Sequence, residues 1–149
     1  MAGARERGRL ARRAALVLLL LAAPLRADEA FDYVMHCRGC HGPEGQGAPG
    51  GAPDLRGSMG RFLLVPGGRE YLIRVPGTAQ SELDDADTAA LLNWMLRRFG
   101  PLPPDFAPFT AAEVSAHRRP PLAEVRATRA ALLAGLEAKD EGRETNDDR

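Results

Sequence analysis

The chain has 149 residues, with 20 basic and 20 acidic side chains, two cysteines and only 5% aromatic residues. That length suits one small domain with an appendage and excludes two independent cores. Beyond the arginine-rich start no basic stripe remains, which excludes nucleic acid as a partner.

The start reads as an export leader. Arg5, Arg7, Arg9, Arg12 and Arg13 form a positive region, Ala14 to Ala23 an apolar one, and small residues lead to a cleavage point between Ala27 and Asp28. The apolar run is shorter than the roughly 20 residues that a membrane helix needs, and no later stretch is long enough to span. A kept anchor is the alternative to cleavage. Cleavage would remove six arginines and one glutamate, leaving a mildly acidic chain of net charge −5.

Residues Asp28 to His36 predict a short helix with Phe31, Tyr33, Val34 and Met35 available for burial. Cys37 to Gly60 is rich in Gly and Pro and predicts loop. Apolar residues from Phe62 to Val75, broken by Pro66-Gly67-Gly68, predict a turn and a helix from Gly68 to about Arg74, with two strands as the alternative. The clearest helix runs from Asp84 to Phe99, with acids at its start, Arg97 and Arg98 at its end, and Leu91, Leu92, Met95 and Leu96 on one face. Gly100 to Pro108 reads as a semi-rigid connector. Thr110 and Glu113 form a capping box for a short helix. Pro120-Pro121 ends it, and Leu122, Val125, Leu132, Leu133 and Leu136 make the apolar stripe of another. Lys139 to Arg149 has the composition of a disordered tail. The expected organisation is a leader at 1–27, a domain at 28–99 and an extension at 100–149. The expected class is all-α.

Cys37-Arg38-Gly39-Cys40-His41 fits C-x-x-C-H, the attachment sequence of c-type haem. Two thiols at this spacing reach the two vinyl groups of one porphyrin, and the following imidazole becomes an iron ligand. A thioredoxin-like redox pair would want a βαβ setting, which nothing upstream supplies. A zinc site needs four ligands, and besides the thiols only His36, His41 and His117 are at hand. A disulfide would leave His41 and the glycine-rich loop unexplained. One covalent haem c behind an export leader, in the periplasm, is therefore the expectation.

With these residues in view, 28–99 resembles the class I cytochrome c family. Tyr33 and Trp94 stand where that family crosses an aromatic of its N-terminal helix with one of its C-terminal helix. Ala52-Pro53-Asp54-Leu55-Arg56-Gly57-Ser58-Met59-Gly60-Arg61 is similar to the family's G-P-x-L-x-G-x-x-G-R loop. The resemblance implies that the Pro53 carbonyl accepts from His41, that Leu55 lies on the haem edge and that Arg61 sits near a propionate. It departs at Val75-Pro76, where the family places Met-Pro and takes its sixth iron ligand. Met95 is the foremost substitute, with Met59, His117 or no protein ligand as alternatives; His36 and Met35 adjoin the attachment site and face the wrong way.

The resemblance implies a one-electron carrier and not an enzyme, working with redox partner proteins. Gly-Gly-Arg-Glu-Tyr-Leu, Leu-Leu-Asn-Trp-Met-Leu and the extension are similar to short periplasmic cytochromes associated with dehydrogenases of methylamine or alcohol metabolism. An open-site haem protein that binds a small ligand or reacts with peroxide is one rival. A fixed electron-transfer subunit of a larger oxidoreductase is the other. The extension from Thr110 to Glu137 is expected to dock, on 28–99 or on a partner.

Overall fold

A computed structural model describes residues 28–147, with side chains through residue 143; the leader reading of 1–27 lies outside them. The described residues are helical, without strands. In chain order they form α1 (Glu29–His36), α2 (Arg38–His41), a 3₁₀ helix (Met59–Leu64), α3 (Gly68–Arg74), α4 (Pro76–Ala79), α5 (Asp85–Phe99), α6 (Ala111–His117) and α7 (Val125–Asp147). The apolar run after Arg61, open to a strand reading, is the 3₁₀ helix: its last carbonyls turn back at once, with Val65 N–H donating to Phe62 O and Gly68 N–H to Val65 O.

Side-chain caps fix the starts of three helices. The Asp28 carboxylate accepts from Ala30 N at 3.0 Å, Asp84 from Asp87 N at 2.8 Å, and Thr110 Oγ1 from Glu113 N at 3.2 Å. Helix α1 crosses α5 through an aromatic cluster. The Tyr33 ring centroid lies 5.6 Å from that of Trp94 and 5.1 Å from that of Phe99.

Only part of α1's apolar content is buried. Tyr33 is 2% exposed, whereas Phe31, Val34 and Met35 are 60%, 45% and 62% exposed. Positions 31, 34 and 35 share one stripe of the helix, and it is the stripe opposite Tyr33. With α5 on one side only, α1 has nothing among the described residues against which to bury the other.

The extension docks on 28–99 and shares its core. Phe109, Val114 and Leu136 are buried with Tyr71, Ile73 and Leu96 in one cluster. Asn93, buried on α5, exchanges two hydrogen bonds with the backbone of Phe109, at 2.9 and 2.8 Å. Arg69 grips Glu113 with two bonds of 2.7 Å and lies 4.0 Å over the Phe109 ring. Gly60 backs directly onto the Pro101 carbonyl, leaving no room for a side chain, so the connector runs flush against the 3₁₀ helix.

Helix α7 also runs further than its composition indicates. The stretch from Lys139, read as disordered, stays helical to Asp147. Packing at Leu136 carries the helix this far. Tethers then extend it: Lys139 Nζ donates to Leu64 O at 2.9 Å, and Asp140 pairs with Arg61 at 2.6 Å. No helix among the described residues is long and apolar enough to cross a membrane.

Candidate functional site

The loop after α2 is folded on itself by backbone bonds. Gly47 N–H donates to His41 O at 2.8 Å, Leu55 N–H to Gly45 O at 2.8 Å, and Ala48 N–H to Ala52 O at 3.0 Å. Gly47 has φ of +66°, and a Cβ there would run into the Ala52 carbonyl and the Pro53 backbone. The loop's far end is pinned where Gly57 N–H donates to Phe99 O, at the C-terminus of α5, at 2.7 Å.

This folding brings Pro53 under His41. His41 Nδ1 lies 3.0 Å from the Pro53 carbonyl. A carbonyl only accepts, so Nδ1 carries a proton, and in the neutral ring Nε2 keeps its lone pair. That tautomer is the one a metal-binding imidazole needs.

Cys37, Cys40 and His41 all open on one cavity of about 320 Å³. Leu55, Phe62, Tyr71, Leu72 and Leu92 supply much of its apolar wall. Both cysteines are free thiols, Cys37 half-buried and Cys40 exposed. Burial pushes the Cys37 thiol up to about 11, with the nearby Asp32 and Cys40 adding to the rise. A thiol held protonated is a poor redox nucleophile, the opposite of a thioredoxin-type cysteine. Among the described residues no group of three or more His, Cys, Asp or Glu side chains converges as a metal site would require. The donor set therefore fits a porphyrin better than a bare ion: two thiols for covalent links, one oriented imidazole, and an apolar hollow beside them.

A family profile described as Cytochrome c matches residues 28–71. One Cytochrome c-552 of Thermus thermophilus is 37% identical over 125 aligned residues, covering 69% of this chain and 84% of that relative. A second Thermus thermophilus Cytochrome c-552 is 38% identical over 109 residues, covering 60% of this chain and 82% of the relative. The chain belongs to the cytochrome c family. It is an electron carrier with one covalent haem of the c type, and its partners are redox proteins.

The remaining expected residues of this cytochrome fall into two groups. Met95 and Met59 both line the cavity, 6% and 3% exposed. Val75, where the resemblance leads one to expect methionine, is in the wall too, followed by Pro76, Gly77 and Thr78. His36 reaches the cavity edge from the attachment side. His117 and Arg61 are elsewhere. His117 does not line the cavity, and its Nδ1 lies 3.9 Å from Glu70 on a half-exposed surface. Arg61, placed near a propionate by resemblance, is also off the cavity wall and pairs instead with Asp140 of α7. Its helix turns it outward, and α7 offers it a carboxylate there.

Two cavity residues come from beyond 28–99, the stretch that resembles the class I family. Val125 and Arg129 of α7 both line the cavity. The signal was present in the sequence: Val125, Arg129, Leu132 and Leu136 follow helical spacing, so Arg129 is a lone charge inside an apolar stripe.

Proposed function

We propose that this cytochrome works in the periplasm, taking single electrons from a dehydrogenase and passing them toward a respiratory chain. The observation that carries the reading is the convergence of Cys37, Cys40 and oriented His41 on one apolar cavity. The leader pattern at 1–27 supports export, and export leads to the compartment where such haems are attached. The dehydrogenase donor is supported by the likeness of Gly67 to Leu72, Leu91 to Leu96 and the extension after Phe99 to short cytochromes associated with amine and alcohol dehydrogenases.

In this reading Cys37 and Cys40 would form the thioethers and His41 would ligate the iron. When bound, haem supplies a one-electron Fe(III)/Fe(II) couple. The chain's own tasks are to hold, orient and shield. The Pro53 carbonyl keeps the His41 ring in one tautomer and one plane. Leu55, Phe62, Leu72 and Leu92 keep water from the ring. Met95 would be the second protein ligand to the iron, since Met59 lies four residues after Leu55, in the loop that carries the His41 acceptor Pro53.

The decisive test is retention of colour through acid–acetone extraction, with a mass one haem above the processed chain. Colour passing into the organic phase would overturn the reading. Cys37→Ala or Cys40→Ala is expected to abolish stable holoprotein. If Met95 ligates, the ferric protein shows the weak near-infrared sulfur-to-iron band and Met95→Ala removes it.

Val75 in the cavity wall favours a second reading, an open sixth site that binds a small ligand. Fast carbon monoxide binding to the ferrous protein, with no near-infrared band, would select it.

A further inference from the structure

We propose that Arg129, delivered by α7 of the extension, is the cation that holds a haem propionate within the cavity. Arg129 lines the hollow onto which Cys37, Cys40 and His41 open. Its Nε is buried and has no hydrogen-bond partner. Its guanidinium lies 5.6 Å from the Phe62 ring centroid. It also stands beside the Tyr71 phenol, where its charge opposes the burial that raises that group's pKa. Phe62 thus offers the guanidinium a ring and Tyr71 a hydrogen-bonding phenol, and neither answers the Nε–H donor. A buried N–H without an acceptor is costly, and native interiors seldom keep one.

The proposal rests on the haem reading of the same cavity, because haem brings what Arg129 lacks. Its two carboxylates need cations when they enter an apolar hollow, and a guanidinium answers a carboxylate through two parallel N–H bonds. The other candidates are committed elsewhere. Arg61 is bound to Asp140 and does not line the cavity. Among the lining residues Arg129 is the guanidinium, and the carboxylate there, Asp54, is already held by Arg56 at 2.6 Å. The role that the family resemblance gives to Arg61 thus passes in this chain to an arginine about seventy residues downstream. This gives the extension a task at the cofactor beyond covering the core.

The test uses the full-length holoprotein, its covalent haem verified by mass, and reads the midpoint potential by spectroelectrochemistry across pH. Ferric haem carries one more positive charge than ferrous, so a nearby cation favours the reduced form. Arg129→Gln is therefore expected to raise the ferric-to-ferrous ratio at fixed ambient potential by about three- to tenfold, tenfold being about 59 mV for one electron. The propionate is also expected to titrate higher, moving the pH-dependent step of the potential toward neutrality. Arg129→Lys is expected to restore most of the potential.

An unmoved potential and pH profile in Arg129→Gln overturns the proposal, as do equal shifts in the Gln and Lys variants, which would mean lost packing and not lost charge. Should Arg129→Gln fail to accumulate, the unmutated holoprotein still decides. Its propionate-linked step must lie below that of a free propionate, and a step at the free value overturns the proposal. Absence of covalent haem from the unmutated protein would instead sink the reading on which this one rests.

Discussion

Gly47 shows how much one residue's conformation can govern at this site. Its positive φ lets the chain double back so that Pro53 meets His41, and the Ala52 carbonyl occupies the space of any side chain. For Gly47→Ala, the left-handed backbone alone costs roughly 1–2 kcal/mol, and displacement of the Ala52–Pro53 backbone adds to it. The denaturation midpoint of the holoprotein is expected to fall accordingly, and an unchanged midpoint would show that the loop relaxes freely. A second residue-scale prediction concerns acid. The two hydrogen bonds from the Arg69 guanidinium hold the Glu113 carboxyl below its ordinary value, against a smaller opposing effect of burial. A depressed carboxyl stabilises the fold above its unfolded pKa, and that stabilisation is lost as pH falls through the lower folded value. Stability measured from neutral to acid pH should therefore decline more steeply in the unmutated protein than in Glu113→Gln, beginning near the ordinary value of 4.5. At this scale the grouping of Cys37, Cys40 and His41 was legible because their chemistry demands a fixed spacing. The direction of Arg61 was not, because where an arginine points depends on which element lies beyond it.

Among the elements, those with a cap and a period were readable. Asp84, the acids behind it and the apolar face of α5 place that helix within a residue, and the capping box at Thr110 places α6. The 3₁₀ helix and one-turn α4 were missed, since six and four residues carry too little periodicity to announce themselves. The segment from Ala79 to Asp85 is held from outside. Arg118, 7% exposed, donates to the carbonyls of Ala79, Ser81 and Leu83 at 3.1, 2.6 and 2.7 Å and meets Asp85 at 3.2 Å. No local pattern reveals such a contact, because both partners look like ordinary loop. Arg118→Ala strands three carbonyls and a carboxylate, and removing one partner of a buried charged network typically costs about 3–5 kcal/mol. Urea denaturation should register a loss of that order, with amide exchange rising first across residues 79–85. Exchange rising evenly over the whole chain would show that Arg118 steadies the fold globally and leaves the loop no looser than the rest.

For the whole molecule, the packing does not stop at Phe99. Truncation after Phe99 removes Phe109, Val114 and Leu136 from the shared core and Val125 and Arg129 from the cavity wall. The shortened protein is expected to melt at a much lower temperature and to show a haem spectrum that responds to solvent additives. Retention of the melting temperature would mean that the packing of α6 and α7 contributes little. The all-helical class was legible from composition and capping. The merging of extension and core was not, because an apolar stripe states that it will be covered without stating by what. That α7 forms one wall of the cavity also makes the cavity's completion a long-range event. The thiols lie near the start of the described chain, and the wall that closes over them is made from residues translated some ninety positions later. While that wall is absent the cavity stands open from the α7 side. The cavity is thus complete only when residues from both ends of the described chain have packed together, so its shape reports on the folding of the whole molecule and not of 28–99 alone.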